Sequence, residues 1–555
     1  MESMNVPTFF RREPTPPCAI ICSQKLMIND LNIFPVPDGD TGTNMSMTTT
    51  AAVNAIKDDE NESPAVIAKA VASAMLRGAR GNSGVILSLL FRGFSQGLGE
   101  ETITGKDLVK ALGLGVDAAY KAVMKPTEGT ILTVARVGYE GGLRVMNEND
   151  DVVFVWEAIV NAAREALEKT PEYLPVLKKA GVVDAGGMGL LCIFEGMLSY
   201  FKDGVVIEYA ESNTQEELDN FTSTVAEFDD VINFTYCTEF IVGRDNEIAT
   251  DPNELRLFLE TIGDCVVVVS DEEIVKVHVH TEQPGDALKK GLEFGQLLTV
   301  KVENMKEQHR KAKEDNAQKP KAQPKKQKLE PVEPTEEVGF VAVAAGEGIT
   351  SLFKDLGCHN VVSGGQSMNP STDDIYEAIM ATPAKTVIVL PNNKNIIMAA
   401  QQTVPMVEDR KVVIVPTRTI PQGMTAILNY DPELSADSNK DMMMDAAKNV
   451  ATGSVTFAAR NSEFGHQKIK EGEIIALENG KLTITEKTPV KACVKLAKNM
   501  IKHDTSFVTV IYGSDTSEED AQEAYEAIQD KFGSKVDVSL VNGGQPIYYF
   551  ILSVE

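Results

Sequence analysis

The sequence predicts a multidomain protein: an all-α N-terminal domain, then an α+β domain of split β-α-β type, then an α/β C-terminal region. Three observations carry that reading. The chain has 555 residues, and a domain takes about 100–200, so three to four domains are expected. Its hydrophobic period changes from helical to strand-like. One charged, proline-bearing stretch then separates two strand-containing segments.

From Thr43 to about Asp203 the pattern is helical throughout. ESPAVIAKAVASAMLRGAR, TGKDLVKALGLGVDAAYKAVM and DVVFVWEAIVNAAREALEKT repeat apolar residues on one helical face, and prolines and glycines separate them. From Tyr236 to Asn304 the texture switches. YCTEFIVG reads as strand, DPNELRLFLETIG as a helix capped by Asp251, and CVVVVSD and the alternating IVKVHVHT as strands. PGDALKKGLEFG then reads as helix and LLTVKVEN as strand. That order is the ferredoxin-like β-α-β-β-α-β motif.

Residues 306–337 have no apolar period. Lys306 to Lys328 carries nine basic and three acidic residues, and the whole stretch holds four prolines. We read it as a disordered, solvated linker, with a basic arm folding back on an acidic domain as the alternative. Beyond it VGFVAVAAG, KTVIVLP and RKVVIVPT are buried-type strands alternating with helices, which predicts a parallel sheet over about 338–430. SVTFAAR, GEIIALE, SFVTVIYG and YYFILSV predict a second α/β half packed against the first.

Composition excludes several function classes. There are 81 acidic against 53 basic side chains, a net charge of −28. Such a chain lacks the basic stripe that a nucleic acid needs. No apolar run approaches the roughly 20 residues of a membrane span. Seven cysteines, sparse and odd in number, form no disulfide framework and fit a reducing cytoplasm.

The candidate chemistry begins at LNIFPVPDGDTGTNMSMTTT. Pro35 and Pro37 stiffen a loop, Asp38 and Asp40 flank Gly39, and a helix starts near Thr43. Two carboxylates at a helix N-terminus suit Mg²⁺ and a phosphate. An Asx-turn with an N-cap is the plainer reading of the same residues. RGARGNSGV, PTEGTILT and VDAGGMG add three Gly-rich loops between helices, so four loops could form a rim around a nucleotide. No G-x-x-x-x-G-K-[ST] loop is present, and GLGVDAA lies inside a helical pattern rather than after a strand.

PVPDGDTGTNM, GARGNSG, EGTILTV and VDAGGMG together resemble the DhaL-type domain of dihydroxyacetone kinases. They resemble more closely its relative in the ATP-binding subunit of bacterial fatty acid kinase. The resemblance runs from about residue 26 to 555. It implies an eight-helix barrel that binds ATP or ADP with two Mg²⁺ ions at its loop end. Asp38 and Asp40 match two of the family's three metal-binding aspartates and would serve catalysis. Asn32 stands at the third, where a neutral carbonyl replaces a charge. Thr41, Gly42 and Asn44 fall where the family holds the phosphates. Asn82 and Ser83, Thr130 and Ile131, and Asp184 with Gly186 fall at its other nucleotide contacts. The C-terminal region resembles the DegV-like fold, with SGGQSMNPS and LPNNKN as its strand-end loops, and the resemblance implies docking of a fatty-acid-carrying DegV-like partner and a homodimer.

All six histidines lie beyond residue 277. The helical domain therefore has no histidine base, which fits a carboxylate acceptor already ionised at neutral pH. His278 and His280 share one strand face, and Cys237 lies on another strand of that domain. Two imidazoles and a thiolate suit Zn²⁺, and members of the resembling family carry a Cys and an H-x-H here. Two solvent-facing polar residues, or a catalytic or docking element, are the other readings. Residues 1–25 carry Pro7, Pro14, Pro16 and Pro17 with no helical period. They depart from the family, whose members have a long amphipathic helix there, and we read them as a frameshifted or misassigned start.

The function expected is an ATP- and Mg-dependent kinase that phosphorylates the carboxylate of a carrier-bound fatty acid to an acyl phosphate. A dihydroxyacetone kinase-like enzyme acting on a small hydroxyl acceptor, or a non-catalytic nucleotide- or zinc-sensing scaffold, are the alternatives.

Overall fold

The computed structural model describes the chain except residues 1–20, 23, 33–38, 57–62, 100–102, 124, 204–234, 245–251, 271–273, 305–328, 366–367, 460–461 and 465–466. The chain divides into two units, residues 210–327 forming one and residues 1–209 with 328–555 the other.

The first part of the larger unit is helical. Its helices include α1 (Lys25–Asp30), α2 (Thr41–Ile56), α3 (Pro64–Gly78), α4 (Gly81–Gly97), α5 (Gly105–Ala122), α6 (Ile131–Val145), α7 (Val152–Glu168) and α8 (Ala185–Asp203), with short helical segments Thr170–Tyr173 and Pro175–Ala180 between α7 and α8. Local chemistry sets several of their starts. Thr104 and Asp107 close a capping box on α5, and Asp151 caps α7 through the Phe154 N–H. The core is centred on Trp156, which is fully buried and meets Phe94, Phe194 and Phe201 edge-on. Its indole N–H donates to the Phe194 carbonyl at 2.9 Å, so the ring buries its apolar surface without stranding its polar atom.

Two boundaries differ from the sequence reading. Ile21 and Cys22 are already helical and Ile21 is fully buried in the helical core, so packing resumes ahead of Leu26. Helix α2 begins at Thr41 rather than near Thr43, because side chains from α1 and the loop after it cap its first turn.

The second part of the larger unit is α/β. Strand β5 (Glu336–Ala344) leads into α11 (Glu347–Asp355), β6 (Cys358–Ser363), α12 (Thr372–Met380), β7 (Ala384–Leu390), α13 (Ile397–Thr403), β8 (Lys411–Ile414), α14 (Ile420–Leu428) and α15 (Ala436–Lys448). The four strands form a parallel sheet in the order β6-β5-β7-β8. A mixed six-stranded sheet, β13-β12-β9-β16-β14-β15, follows. Its strands are β9 (Ala451–Phe457), β12 (Ile474–Glu478), β13 (Lys481–Glu486), β14 (Phe507–Tyr512), β15 (Asp537–Asn542) and β16 (Phe550–Val554), with the small β10 (Ser462–Phe464) and β11 (Gln467–Ile469) pairing apart and α16 (Pro489–Met500) and α17 (Glu518–Phe532) as its helices. Ile511 and Ile551 join the core of the first sheet, so the two halves pack together.

Residues 329–337 correct the expected linker. The Val332 N–H donates to the Met380 carbonyl, and the Thr335 and Glu336 N–H groups donate to Pro383. Buried Arg410 donates to the Val332, Met380 and Thr382 carbonyls. The composition of this end is solvated, but its backbone partners lie far along the chain. The basic part, 306–328, lies outside the described residues.

An apolar cluster joins the two parts of this unit. Ala79, Val85 and Leu89 pack with Val341, Val343, Ile375, Ile379 and Ile396. At about 1.5–3 kcal/mol per fully buried large side chain, this contact is a substantial part of the fold.

The smaller unit has the element order β1 (Tyr236–Arg244), α9 (Pro252–Ile262), β2 (Gly263–Ser270), β3 (Ile274–Thr281), α10 (Pro284–Gly291) and β4 (Gly295–Asn304). Its sheet runs β2-β3-β1-β4 with antiparallel neighbours. Phe240, Val242, Val275, Val277 and Val279 bury one face with Leu255, Leu259 and Ala287 from the helices. Asp251 lies outside the described residues.

Candidate functional site

The four Gly-rich loops come to the starts of α2, α4, α6 and α8. Each start exposes backbone N–H groups and the positive end of a helix dipole. Packing brings the starts together in pairs. A Cβ on Gly81, at φ +57°, would lie 2.6 Å from Asn44 Nδ2, and one on Gly186 would lie 3.3 Å from the Ile131 side chain. Gly189, one turn into α8, faces Met45 of α2 at similarly close range.

The start of α2 is the most elaborated. Asn29 Oδ1 accepts from the Gly42 N–H at 2.7 Å and the Thr43 N–H at 3.2 Å, while its Nδ2 donates to Thr43 Oγ1. In the orientation that satisfies both ends of its amide, Asn32 accepts from the Asp40 and Thr41 N–H groups and donates to Thr41 Oγ1. The Asn32 carbonyl is thus engaged as a helix cap. A Cβ on Gly42 would sit 2.1 Å from the Lys25 carbonyl, so only glycine lets α2 start against α1. Asp40 lies one residue before α2, and its carboxylate accepts from Asn369 Nδ2 at 2.5 Å. Asp38 lies outside the described residues.

At α4, Asn82 Nδ2 approaches Asn395 Oδ1 at 3.5 Å. Asn82 Oδ1 is buried and has no hydrogen-bond partner among the described residues, which leaves an acceptor open to a bound donor. Ser83 follows it in the first turn, half-buried.

The starts of α6 and α8 share one carboxylate. Asp184 accepts from the Gly187 N–H at 2.7 Å and from the Ile131 and Gly186 N–H groups. Its own N–H donates to Thr170 Oγ1. Burial pushes its pKa up to about 6 against the pull of those three donors. Asp184, Ile131 and Gly186 are therefore together in space, but their mutual bonds use N–H groups that a nucleotide would otherwise take.

Thr130 is the N-cap residue of α6, and its hydroxyl donates to the Thr127 carbonyl. Beside it the Glu128 carboxylate accepts from Thr133, Arg136 and Tyr120, and Arg136 also pairs with Glu140 at 2.7 Å. Asn29, Glu128 and Arg136 were not singled out by sequence reasoning. The signal for Asn29 was an asparagine placed just ahead of a proline-stiffened loop.

The donor set fits a metal-bound nucleotide. It combines a carboxylate at a helix start, small hydroxyls, the positive ends of four helices and, among the described residues, one buried acceptor, Asn82 Oδ1, without a partner. In the smaller unit the β1–β3 register places Cys237 opposite His280 and Glu239 opposite His278. The side chains of Cys237, His278 and His280 lie outside the described residues.

Three family models match the chain in sequence order. They are the DAK2 domain over residues 35–199, the FakA-like (fatty acid kinase) middle domain over 233–312, and the FakA-like (fatty acid kinase) C-terminal domain over 339–555. An uncharacterized protein of Staphylococcus aureus strain USA300 is 40% identical over 539 residues, 95% of each chain. Among solved structures, a DegV family protein from Corynebacterium glutamicum is similar at 15% identity and TM-score 0.31, covering 40% of this chain and 97% of that one. The dihydroxyacetone kinase of C. freundii in complex with AMP-PNP and Mg²⁺ is similar at 19% identity and TM-score 0.27, covering 33% of this chain and 32% of that one.

Proposed function

Because this chain belongs to the FakA-like family of fatty acid kinase proteins and is a kinase, we propose that it transfers the γ-phosphoryl group of ATP to the carboxylate of a fatty acid held by a DegV-like carrier. The observation that supports this most is the pairing of the start of α2, with Asp40 just before it, against the start of α4, and of the start of α6 against that of α8. In the transfer a carboxylate oxygen bonds to the γ-phosphorus, the bond to the β–γ bridging oxygen breaks, and ADP leaves with that electron pair. The acceptor is already ionised, so the histidine-free helical domain needs no base for it.

Asp40, with Asp38, would hold Mg²⁺, which supplies charge neutralisation on the phosphoryl group in flight. The Thr41 hydroxyl and the Asn44 side chain, beside Gly42 at the start of α2, would hold the phosphates. Asn82 and Ser83 with Thr130 and Ile131 line the rest of the nucleotide. Asp184 acts by fixing the starts of α6 and α8 against each other. Asn32, engaged as a cap, supports the loop that carries the aspartates.

The domain assignment follows the same reading: a DhaL-like nucleotide domain over 26–205, a middle domain over 206–305 and a DegV-like region over 338–555. A homodimer is part of it. Leu298, Val300 and Val302 alternate along β4 and are 59%, 48% and 41% exposed, an edge that a second copy would cover. Zinc at Cys237, His278 and His280 rests on the register alone, and metal analysis of the purified chain against Cys237→Ser with His280→Ala tests it.

The function is tested by phosphate transfer from ATP to a fatty acid in the presence of a DegV-like carrier. Asp40→Ala and Asp38→Ala should lower the rate at least about 100-fold, the scale of losing a preorganised charge contact in the transition state. Wild-type turnover in both variants would remove the assignment. Turnover on dihydroxyacetone without any carrier would point to a hydroxyl acceptor instead.

A further inference from the structure

The contact between Asp40 and Asn369 joins the helical and α/β parts of the larger unit. Asn369 lies in the loop between β6 and α12, 329 residues from Asp40. It is only 3% exposed, and it is held from several sides. Arg80, just before α4, donates from Nη1 to the Asn369 carbonyl at 2.8 Å, and its Nη2 lies 3.7 Å from Asp374. Asp374 in turn closes a capping box with Ser371 at the start of α12. The Thr372 N–H donates to the Ala79 carbonyl, and the Arg80 and Ser371 backbones pair in an isolated antiparallel β-bridge. A Cβ on Gly81 would come within 3.2 Å of Asn369 Nδ2, so this amide sits between the metal loop and the start of α4.

We infer that Asn369 is a positioning residue for the Asp40 carboxylate, so that the C-terminal α/β region completes the metal site of the helical domain. This rests on the reading of Asp40 as a magnesium ligand. A ligating carboxylate has two oxygens and a rotatable plane. A fixed donor on Oδ2 sets that plane and the direction of the Oδ1 lone pairs before any metal arrives. Such outer contacts tune metal affinity about 10–100-fold. The geometry favours this role over a removable cover. The amide is buried, its backbone is clamped by Arg80, and the apolar cluster of Val85 and Leu89 with Ile375 and Ile396 seals the contact beside it.

The experiment is calorimetric ADP binding to the full chain as a function of Mg²⁺ concentration, with no carrier and no turnover. Asn369→Ala and the volume-matched Asn369→Leu should each raise the Mg²⁺ concentration for half-maximal ADP binding about 10-fold. Metal-free ADP binding should be unchanged even where the thermal midpoint falls from loss of a buried hydrogen bond, which separates positioning from a structural loss. Asp373→Ala cuts the exposed Arg77 pair at the same junction and should behave like the parent. An unchanged Mg²⁺ requirement in either folded Asn369 variant overturns the inference while leaving the metal reading intact. A lowered requirement also overturns it, because Asn369 would then compete with the metal. If Asp40→Ala keeps the parent's Mg²⁺ dependence, the metal reading itself fails and takes the inference with it.

Discussion

Asn29 Oδ1 accepts the backbone N–H of Gly42 at 2.7 Å, so a residue on α1 caps the helix that begins just after Asp40. The cap explains why α2 starts at Thr41. Without it the Gly42 and Thr43 N–H groups would lose the acceptor that fixes their direction.

Asn29→Ala should therefore lower stability by about 1 kcal/mol, the usual cost of a lost N-cap. Chemical denaturation measures it. Asn29→Asp keeps an acceptor and adds a favourable charge at the helix start, so it should recover most of the loss. Equal stability of the Ala variant and the parent would show that the cap does not hold α2.

Gly42→Ala tests the close approach of α1 and α2. The added methyl would meet the Lys25 carbonyl 2.1 Å away, and backbone cannot move aside as a flexible side chain can. Overpacking of this kind costs typically about 1–3 kcal/mol. ADP binding should weaken together with the thermal midpoint. A Gly42→Ala protein with both unchanged would mean that α1 can shift freely.

Asp184 gives a pH signature. Its folded pKa is raised from the ordinary 3.8 to about 6, so the fold favours the neutral carboxyl. The stability it contributes is fully present below 3.8 and is lost as pH rises through about 6. At about 1.4 kcal/mol per unit the whole swing is about 3 kcal/mol. Denaturation profiles across that window should fall with pH in the parent relative to Asp184→Asn. Parallel profiles for the two proteins would mean that the three backbone donors cancel the burial.

Thiol reactivity reports the cores. Burial pushes the Cys192 and Cys358 thiols up to about 12 and raises that of fully buried Cys493 as well. Reaction needs the thiolate and access. Iodoacetamide at mildly alkaline pH should leave all three unmodified in the native chain, as read by peptide mass spectrometry, and label them after denaturation. Cys22 is half-buried and hydrogen-bonded to Ser46, so it should react at an intermediate rate. Native labelling of Cys493 would show that the second sheet opens readily.

Much of the architecture was legible because it is local. Apolar residues repeating at helical spacing in DVVFVWEAIVNAAREALEKT make a helix, and alternation in IVKVHVHT makes a strand, whatever lies elsewhere in the chain. The glycines of the four loops were legible for the same reason, since a helix start against another helix has room for little else. Residues 329–337 were misread because their composition is that of a solvated segment. Their order comes from Met380, Pro383 and Arg410, and nothing in their own period announces those partners.

The sequence by itself determined the helical or strand texture of each region, where the acidic loop lies and which family the chain resembles, because those properties follow from periodicity, turn chemistry and motif. Only the tertiary structure decided how the site is supported. It set Asn29 against Gly42, Asp184 between the starts of α6 and α8, and Asn369 on Asp40 from 329 residues away. Each is a directional bond between polar atoms that water would otherwise solvate. Its partners are chosen by the packing of whole elements, which local pattern does not encode.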